Sequence, residues 1–229
     1  SAASDVYKRQ DYISSDGSTR RKRRSFVTQQ IESLMAEGET VVQGAGDTVT
    51  IVAPDRAGTF SRAAGALALR GLDVLQADAY SSEAGMAVSQ FRVAEPDTPV
   101  DWERVTEDVY QCLDGYLAID ARISERARVY RRRTALSAKP VPTEVIFDVE
   151  SATDATIIEV RTEDHIGVLY HLTRALTEMG LDIRSAKIQT ISNEIVDTFY
   201  VTSANGPVLS ESHCREIETA LMHALTRVD

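Results

Sequence analysis

Cysteine, proline and aromatic residues are scarce in this chain of 229 residues: two cysteines, six prolines and an aromatic content of 6%. Two thiols, Cys112 and Cys214, form no motif and exclude a disulfide framework. Free thiols in a reducing cytoplasm are the expectation, and cytoplasmic is the expected location. The four histidines (His165, His171, His213, His223) are scattered without metal-ligand spacing, so no metal site is expected. No apolar run approaches the ~18–20 residues that a membrane helix needs. Ser1 to Ser18 is polar and lacks the apolar core of a secretory signal. Cations are outnumbered, 25 against 35, and the net charge of −10 argues against general nucleic-acid affinity. Neither a membrane nor a nucleic acid is therefore an expected partner.

What the chain does have is one segment twice. Residues 54–74 read PDRAGTFSRAAGALALRGLDV, and residues 163–183 read EDHIGVLYHLTRALTEMGLDI. A slide of 109 positions sets Asp55 on Asp164, Gly58 on Gly167, Leu67 on Leu176, and Gly71-Leu72-Asp73 on Gly180-Leu181-Asp182. Such internal similarity means two copies of one small domain.

Local patterns give each copy the same order of elements. In copy one, Thr48 to Ala53 is β-branched and reads as a strand. Phe60, Ala63, Ala64, Leu67 and Ala68 then form one apolar stripe of a helix that Gly71 stops. Leu72 to Ser81 and Met86 to Val93 are two strands of a hairpin. Asp101 caps a further helix carrying Trp102, Val105, Val109 and Cys112. A second helical run, Tyr116 to Arg133, ends in an arginine cluster. Glu144 to Val149 alternates as a strand and is expected to close copy one as its fourth.

Copy two repeats the pattern through Thr156 to Arg161, a helix from Val168 to Met179, a hairpin around Ile191-Ser192-Asn193, and a last helix capped by Ser210. No fourth strand follows it. The predicted class is α+β, two ferredoxin-like βαββαβ domains in tandem, each an antiparallel sheet with its helices on one face. The bare face or edge of each sheet needs a neighbour, which the other copy supplies within the chain or between chains.

The predicted organisation is a leader over 1–24, a short helix and linker over 25–44, copy one over 45–150, and copy two over 151–229. Copy one includes a helical insert over 116–133 and a linker over 134–142. The leader has neither helical nor strand periodicity and carries seven basic groups against three acidic ones, which leaves about −14 on the remainder. It reads as disordered or artefactual, and Arg20 to Arg24 reads as a solvated charge run.

The motif [PE]-D-x-x-G-x-[FL], the amphipathic helix, Gly-Leu-Asp-[VI] and the hairpin together resemble the ACT domain, a small-molecule regulatory module. Asp182 to Thr190, Val196 to Val201, Val52 to Arg56 and Glu125 to Arg133 are similar to the C-terminal ACT region of the PII uridylyltransferase family, in a form associated with high-GC Gram-positive bacteria. The resemblance covers residues 45–227. It implies an amino-acid effector, glutamine, and two partners: the PII signal protein and upstream catalytic domains. Those domains would use Mg and UTP. No cofactor and no catalytic residue is expected in this chain, because neither a nucleotidyltransferase nor a His-Asp hydrolase signature is present. Asp164-His165 has the reverse order.

The polar turns carry their own chemistry. A helix that starts at once after Asp-x-x-Gly presents amides without acceptors, and its dipole favours an anion. Glycine lets a ligand approach the backbone, and the aspartate offers a partner to an ammonium group. An amino-acid zwitterion suits both. The candidate residues are Asp55, Arg56, Gly58 and Thr59 in copy one and Asp164, His165, Gly167 and Val168 in copy two. Asp73 and Asp182 begin the second strands and are candidates for the same cleft. The same residues serve equally as a helix cap and a tight turn. A different reading is a stand-alone tandem ACT protein that answers to another amino acid.

Overall fold

The computed structural model describes residues 26–95, 98–134, 141–148, 154–206 and 210–226, with the backbone alone over 130–134. The leader over 1–24, most of the linker over 134–142 and the side chains of the terminal arginines lie outside the described residues. Helix α1 (Gln29–Glu37) is capped by the Thr28 hydroxyl, which accepts from the Ile31 amide at 3.3 Å, and stops at Gly38 in the left-handed conformation, φ 75°. Then follow β1 (Val41–Ala45), β2 (Thr48–Pro54), α2 (Thr59–Leu69), β3 (Val74–Ser81) and β4 (Met86–Val93). Helices α3 (Trp102–Leu113) and α4 (Ile119–Thr134) lead to β5 (Glu144–Asp148), β6 (Thr156–Glu163), α5 (Val168–Glu178), β7 (Leu181–Ile191), β8 (Glu194–Ser203) and α6 (Glu211–Thr226). The expected caps are present: Asp101 Oδ1 accepts from the Arg104 amide, and Ser210 Oγ from the His213 amide, each at 3.2 Å.

All strands join one eight-stranded antiparallel sheet in the order β1-β2-β4-β3-β7-β8-β6-β5. Two corrections to the strand assignment follow. Glu144–Asp148, expected as the fourth strand of copy one, pairs with β6 and completes the sheet of copy two, which therefore does not lack a fourth strand. Copy one takes its fourth strand from Val41–Ala45, a stretch expected as linker. Each copy thus receives its edge strand from its N-terminal side, folded back by a hairpin. The signal was masked by Gly44. A Cβ there would lie 2.3 Å from the Trp102 ring, so glycine is needed for α3 to cross the strand. Gly46-Asp47 then makes a two-residue turn with Gly46 at φ 60°. Tyr110 of α3 ties β1 down, receiving from the Val42 amide at 3.2 Å and donating to the Thr40 carbonyl at 3.1 Å.

The copies meet within the chain, edge to edge. β3 pairs with β7 as Gln76↔Lys187, Ala77↔Ala186 and Asp78↔Ser185. Residues 77 and 186 differ by the repeat offset of 109, so the seam has a local two-fold axis through that alanine pair. Above it α2 and α5 pack closely. A Cβ on Gly65 would fall 2.6 Å from Ile119 of α4 and 2.9 Å from Tyr170 of α5. One core runs under the helices of both copies, with Phe91 and Phe199 fully buried at matching places in β4 and β8. Burying a side chain of that size stabilises by roughly 1.5–3 kcal/mol.

The back of the sheet differs between the copies. In copy one, Val52, Met86 and Val88 are buried under Ile31 and Met35 of α1. The corresponding residues of copy two are Arg161, Glu194 and Val196, and Arg161 is paired with Glu159 at 2.9 Å. A polar back does not require a covering helix.

Candidate functional site

The two Asp-x-x-Gly turns share one backbone. Gly58 has φ 87° and ψ 0°, and Gly167 has φ 88° and ψ 6°; each is the N-cap of its helix without a side-chain cap. The left-handed conformation is one that glycine adopts without strain. Neither Asp55 nor Asp164 caps the helix, so the cap reading of these aspartates does not describe the structure. Their own amides tie the turns to the neighbouring hairpin: Asp55 N–H donates to the Gly85 carbonyl at 2.9 Å, and Asp164 N–H to the Asn193 carbonyl at 2.8 Å. Thr59 and Val168 donate their amides back to Arg56 and His165 carbonyls at 3.1 and 3.4 Å. The first residue of each helix to find an acceptor within the helix is Arg62, to Gly58, and His171, to Gly167. The amides between are the ones that a helix N-terminus leaves to an outside partner.

The antiparallel seam sets each turn near the strand start of the other copy. Burial raises the pKa of Asp164, and the charge of Asp73 adds to the rise. By the repeat offset of 109, Asp55 and Asp182 are the counterparts of Asp164 and Asp73. Asp55, Arg56, Asp73, Asp164 and Asp182 are exposed, so only part of the Asp164 carboxyl is shielded from water, and Thr59 is half-buried. His165 Nδ1 lies 2.9 Å from the Glu163 carbonyl oxygen, a geometry in which Nδ1 carries the proton. Val168 is buried and belongs to the core.

What covers the turns is different. Among the described residues, and chain neighbours apart, the one side-chain atom within 4 Å of a Cβ added at Gly58 is Ser61 Oγ, at 3.7 Å. The turn opens on a groove of about 710 Å³ whose lining includes Ala57, Gly58, Ser61, Tyr170, Arg174 and Thr177. Arg174 is held there by Asp120 at 2.8 Å and Glu178 at 2.9 Å. Asp55, Arg56, Thr59, Asp73 and Asp182 do not line the groove, so the structure gathers only part of the predicted set around it. At Gly167 the space is filled: an added Cβ would fall 2.4 Å from Cγ2 of Ile123, a fully buried residue of α4.

Two residues that sequence reasoning missed are important here. Ile123 is one. The other is Asp197 in β8, 1% exposed, with no hydrogen-bond partner for either carboxyl oxygen among the described residues. Burial holds its pKa well above the usual carboxylate range, and Asp164 adds to that. The signal was available. Asp197 shares the parity of Ile195, Phe199 and Val201, so the alternation of the strand puts a carboxyl on the core face. Copy one has the buried Ser89 at the matching position. Among the described residues no cluster of metal-ligating side chains occurs, and no helix is long and apolar enough to cross a membrane.

Comparison with known proteins identifies the repeated unit. The ACT domain family matches residues 156–209. The bifunctional uridylyltransferase/uridylyl-removing enzyme of Azospirillum brasilense is 36% identical over 184 residues, 77% of this chain and 20% of that protein. The enzyme of the same description from Streptomyces coelicolor is 33% identical over 187 residues, 79% of this chain and 22% of that protein. The one from Rhodospirillum rubrum is 30% identical over 214 residues, 91% of this chain and 22% of that protein. The chain spans about a fifth of the length of these relatives. With one copy matched as an ACT domain and the other of the same topology, this chain is a tandem ACT region, homologous to about a fifth of the length of the bifunctional uridylyltransferase/uridylyl-removing enzymes.

Proposed function

We propose that this chain is the glutamine-sensing regulatory region of an enzyme that attaches and removes uridylyl groups on the PII signal protein, and that the copy-one turn is its working site. The observation that carries this reading is the open Gly58 turn on its groove, built like the Gly167 turn but unobstructed. The α-carboxylate of the ligand sits on the first amides of α2, where the helix dipole favours an anion. Its ammonium group faces Asp55 and Asp182, one carboxylate from each copy. Its side-chain amide extends along the groove toward Ser61 and Thr177, whose hydroxyls donate to the Gly58 and Thr173 carbonyls and accept from the amide N–H groups. Because the site draws on both copies, ligand binding favours one arrangement of the pair. Such coupling is worth typically ~1–3 kcal/mol between states.

A melting panel over the twenty amino acids tests the effector. At a hundred times Kd a ligand of the native state adds ~2.7 kcal/mol. Stabilisation by L-glutamine alone is the expected result. A shift with another amino acid and none with glutamine favours a tandem ACT protein of different specificity.

A further inference from the structure

We propose that this chain pairs with a second copy of itself, α6 of one molecule lying in a groove walled by α4 and the end of α2 of the other. The groove adjoins the one at Gly58, sharing Leu117 and Ala121 with it, and includes neither Gly58 nor Gly167. The pairing needs no amino-acid ligand.

The first observation is the groove. Its volume is about 740 Å³, and Leu69, Leu117, Val129 and Ile166 are its large apolar residues. Helix α4 has two faces here. Ile119, Ile123 and Ala127 are buried in the core, while Ala121, Glu125 and Val129, with Arg122 and Arg126 beside them, line the groove at the spacing of an adjacent helix face. Val129 is 44% exposed and stands within this apolar lining rather than alone.

The second observation is charge. Both carboxylates of the groove are already paired: Asp108 bonds Arg70, and the two oxygens of Glu125 accept from Arg128 at 2.9 and 2.8 Å. Arg122 and Arg126 have no carboxylate partner among the described residues. Like charges at i, i+4 cost a helix ~0.2–0.5 kcal/mol, so the pair does not serve the helix itself. Arg126 is held over Gly71 at the end of α2, where the helix dipole favours a cation. Uncompensated positive charge therefore lines the groove, in a chain whose net charge is −10.

The third observation is a complementary surface on the same chain. Along α6, Glu211, Glu218 and Met222 form one exposed stripe at i, i+7 and i+11. Arg215 stands in the same stripe and lies 3.6 Å from Glu211. Glu218, one turn before Met222, has no cation partner among the described residues. Ile217, Leu221 and Leu225 anchor the opposite face in the core, so the stripe is presented on a fixed helix. Among the described residues, Val129 and Met222 are the exposed large apolar side chains that belong to helices. One lies beside unpaired arginines and the other beside an unpaired glutamate. Seating Met222 against Val129 covers both and brings Glu218 to Arg122 and Arg126. Each molecule has one groove and one α6, so two such contacts about a two-fold axis close a dimer. The charges steer the encounter, and a contact of this size gives a weak, salt-sensitive pair.

Sedimentation equilibrium of the whole chain tests this over about 5–500 µM, at low and at high salt. Wild type is expected to pass from monomer to dimer as concentration rises, and to need on the order of tenfold more protein at high salt. Arg122→Glu/Arg126→Glu and Glu211→Arg/Glu218→Arg are each expected to stay monomeric. Their equimolar mixture is expected to dimerise, because each variant restores the charge contrast that the other lost. A wild type that stays monomeric overturns the proposal and leaves the groove to a partner outside this chain. Variants that dimerise as wild type does, or a mixture that stays monomeric, overturn it as well. If a charge-reversed variant loses its cooperative melt, Val129→Ser replaces it, because Val129 is at the surface and the core stays intact. Dimerisation weakened on the order of tenfold then supports the proposal, and unchanged dimerisation overturns it.

Discussion

At one end of the β3–β7 seam the Gly58 turn opens on a groove of about 710 Å³, and at the other the Gly167 turn lies against Ile123. The backbones of the turns agree within a few degrees. What distinguishes them comes from elsewhere in the chain: α4 sets Ile123 against the Gly167 turn while its first residues only line the groove at Gly58, and Asp197 stands in β8 where copy one has Ser89. Duplication preserved the local frame, while the inserted helix and one core position gave the copies different surroundings. Two equal turns therefore need not be two equal sites.

The largest expected effects should fall on what the copies share. Phe91→Ala and Phe199→Ala each remove a fully buried ring and should cost about 3–5 kcal/mol, by comparable amounts in chemical denaturation. A much smaller loss for one of them would show that the halves are not equally packed. The turns should separate next. Gly58→Ala introduces a side chain at positive φ into open space and should cost about 1–2 kcal/mol. Gly167→Ala adds to the same strain a contact with Ile123, worth about 1–3 kcal/mol more. Equal costs would mean that α4 does not hold the second turn.

Asp197 gives a smaller effect with a distinct pH signature. Its folded pKa is raised, so the folded state holds the proton after the unfolded chain has released it. Stability from this group is complete below the unfolded value of about 3.9 and falls as pH rises toward the folded value. Asp197→Asn, which cannot ionise, should melt higher than wild type at pH 7–8 by on the order of 1 kcal/mol, and the gap should close toward pH 4. A gap independent of pH would mean that the carboxyl is ionised in the fold. The smallest effect belongs to the exposed Glu125–Arg128 pair, where Glu125→Gln should change stability by less than about 0.5 kcal/mol.

The repeat, both helical stripes, the hairpins and the two turns were legible because each rests on local chemistry: a period, a cap or a glycine. The edge strands were not. Val41–Ala45 contains a glycine that makes sense only once Trp102 is known to lie on it. Glu144–Asp148 was correctly read as a strand, but its partner depends on which sheet has a free edge, and the chain between offers no local cue. The site was legible in the same partial way. Its turn residues stand where the repeat put them. The closure by Ile123 is a contact 44 positions apart in sequence, which no spacing rule reaches.

The asymmetry of the turns is tested most directly by one titration with L-glutamine of two matched variants, Asp55→Asn and Asp164→Asn. The account predicts that Asp55→Asn loses at least tenfold in affinity, about 1.4 kcal/mol, while Asp164→Asn binds as wild type does. Loss of binding in Asp164→Asn with Asp55→Asn unaffected would contradict it.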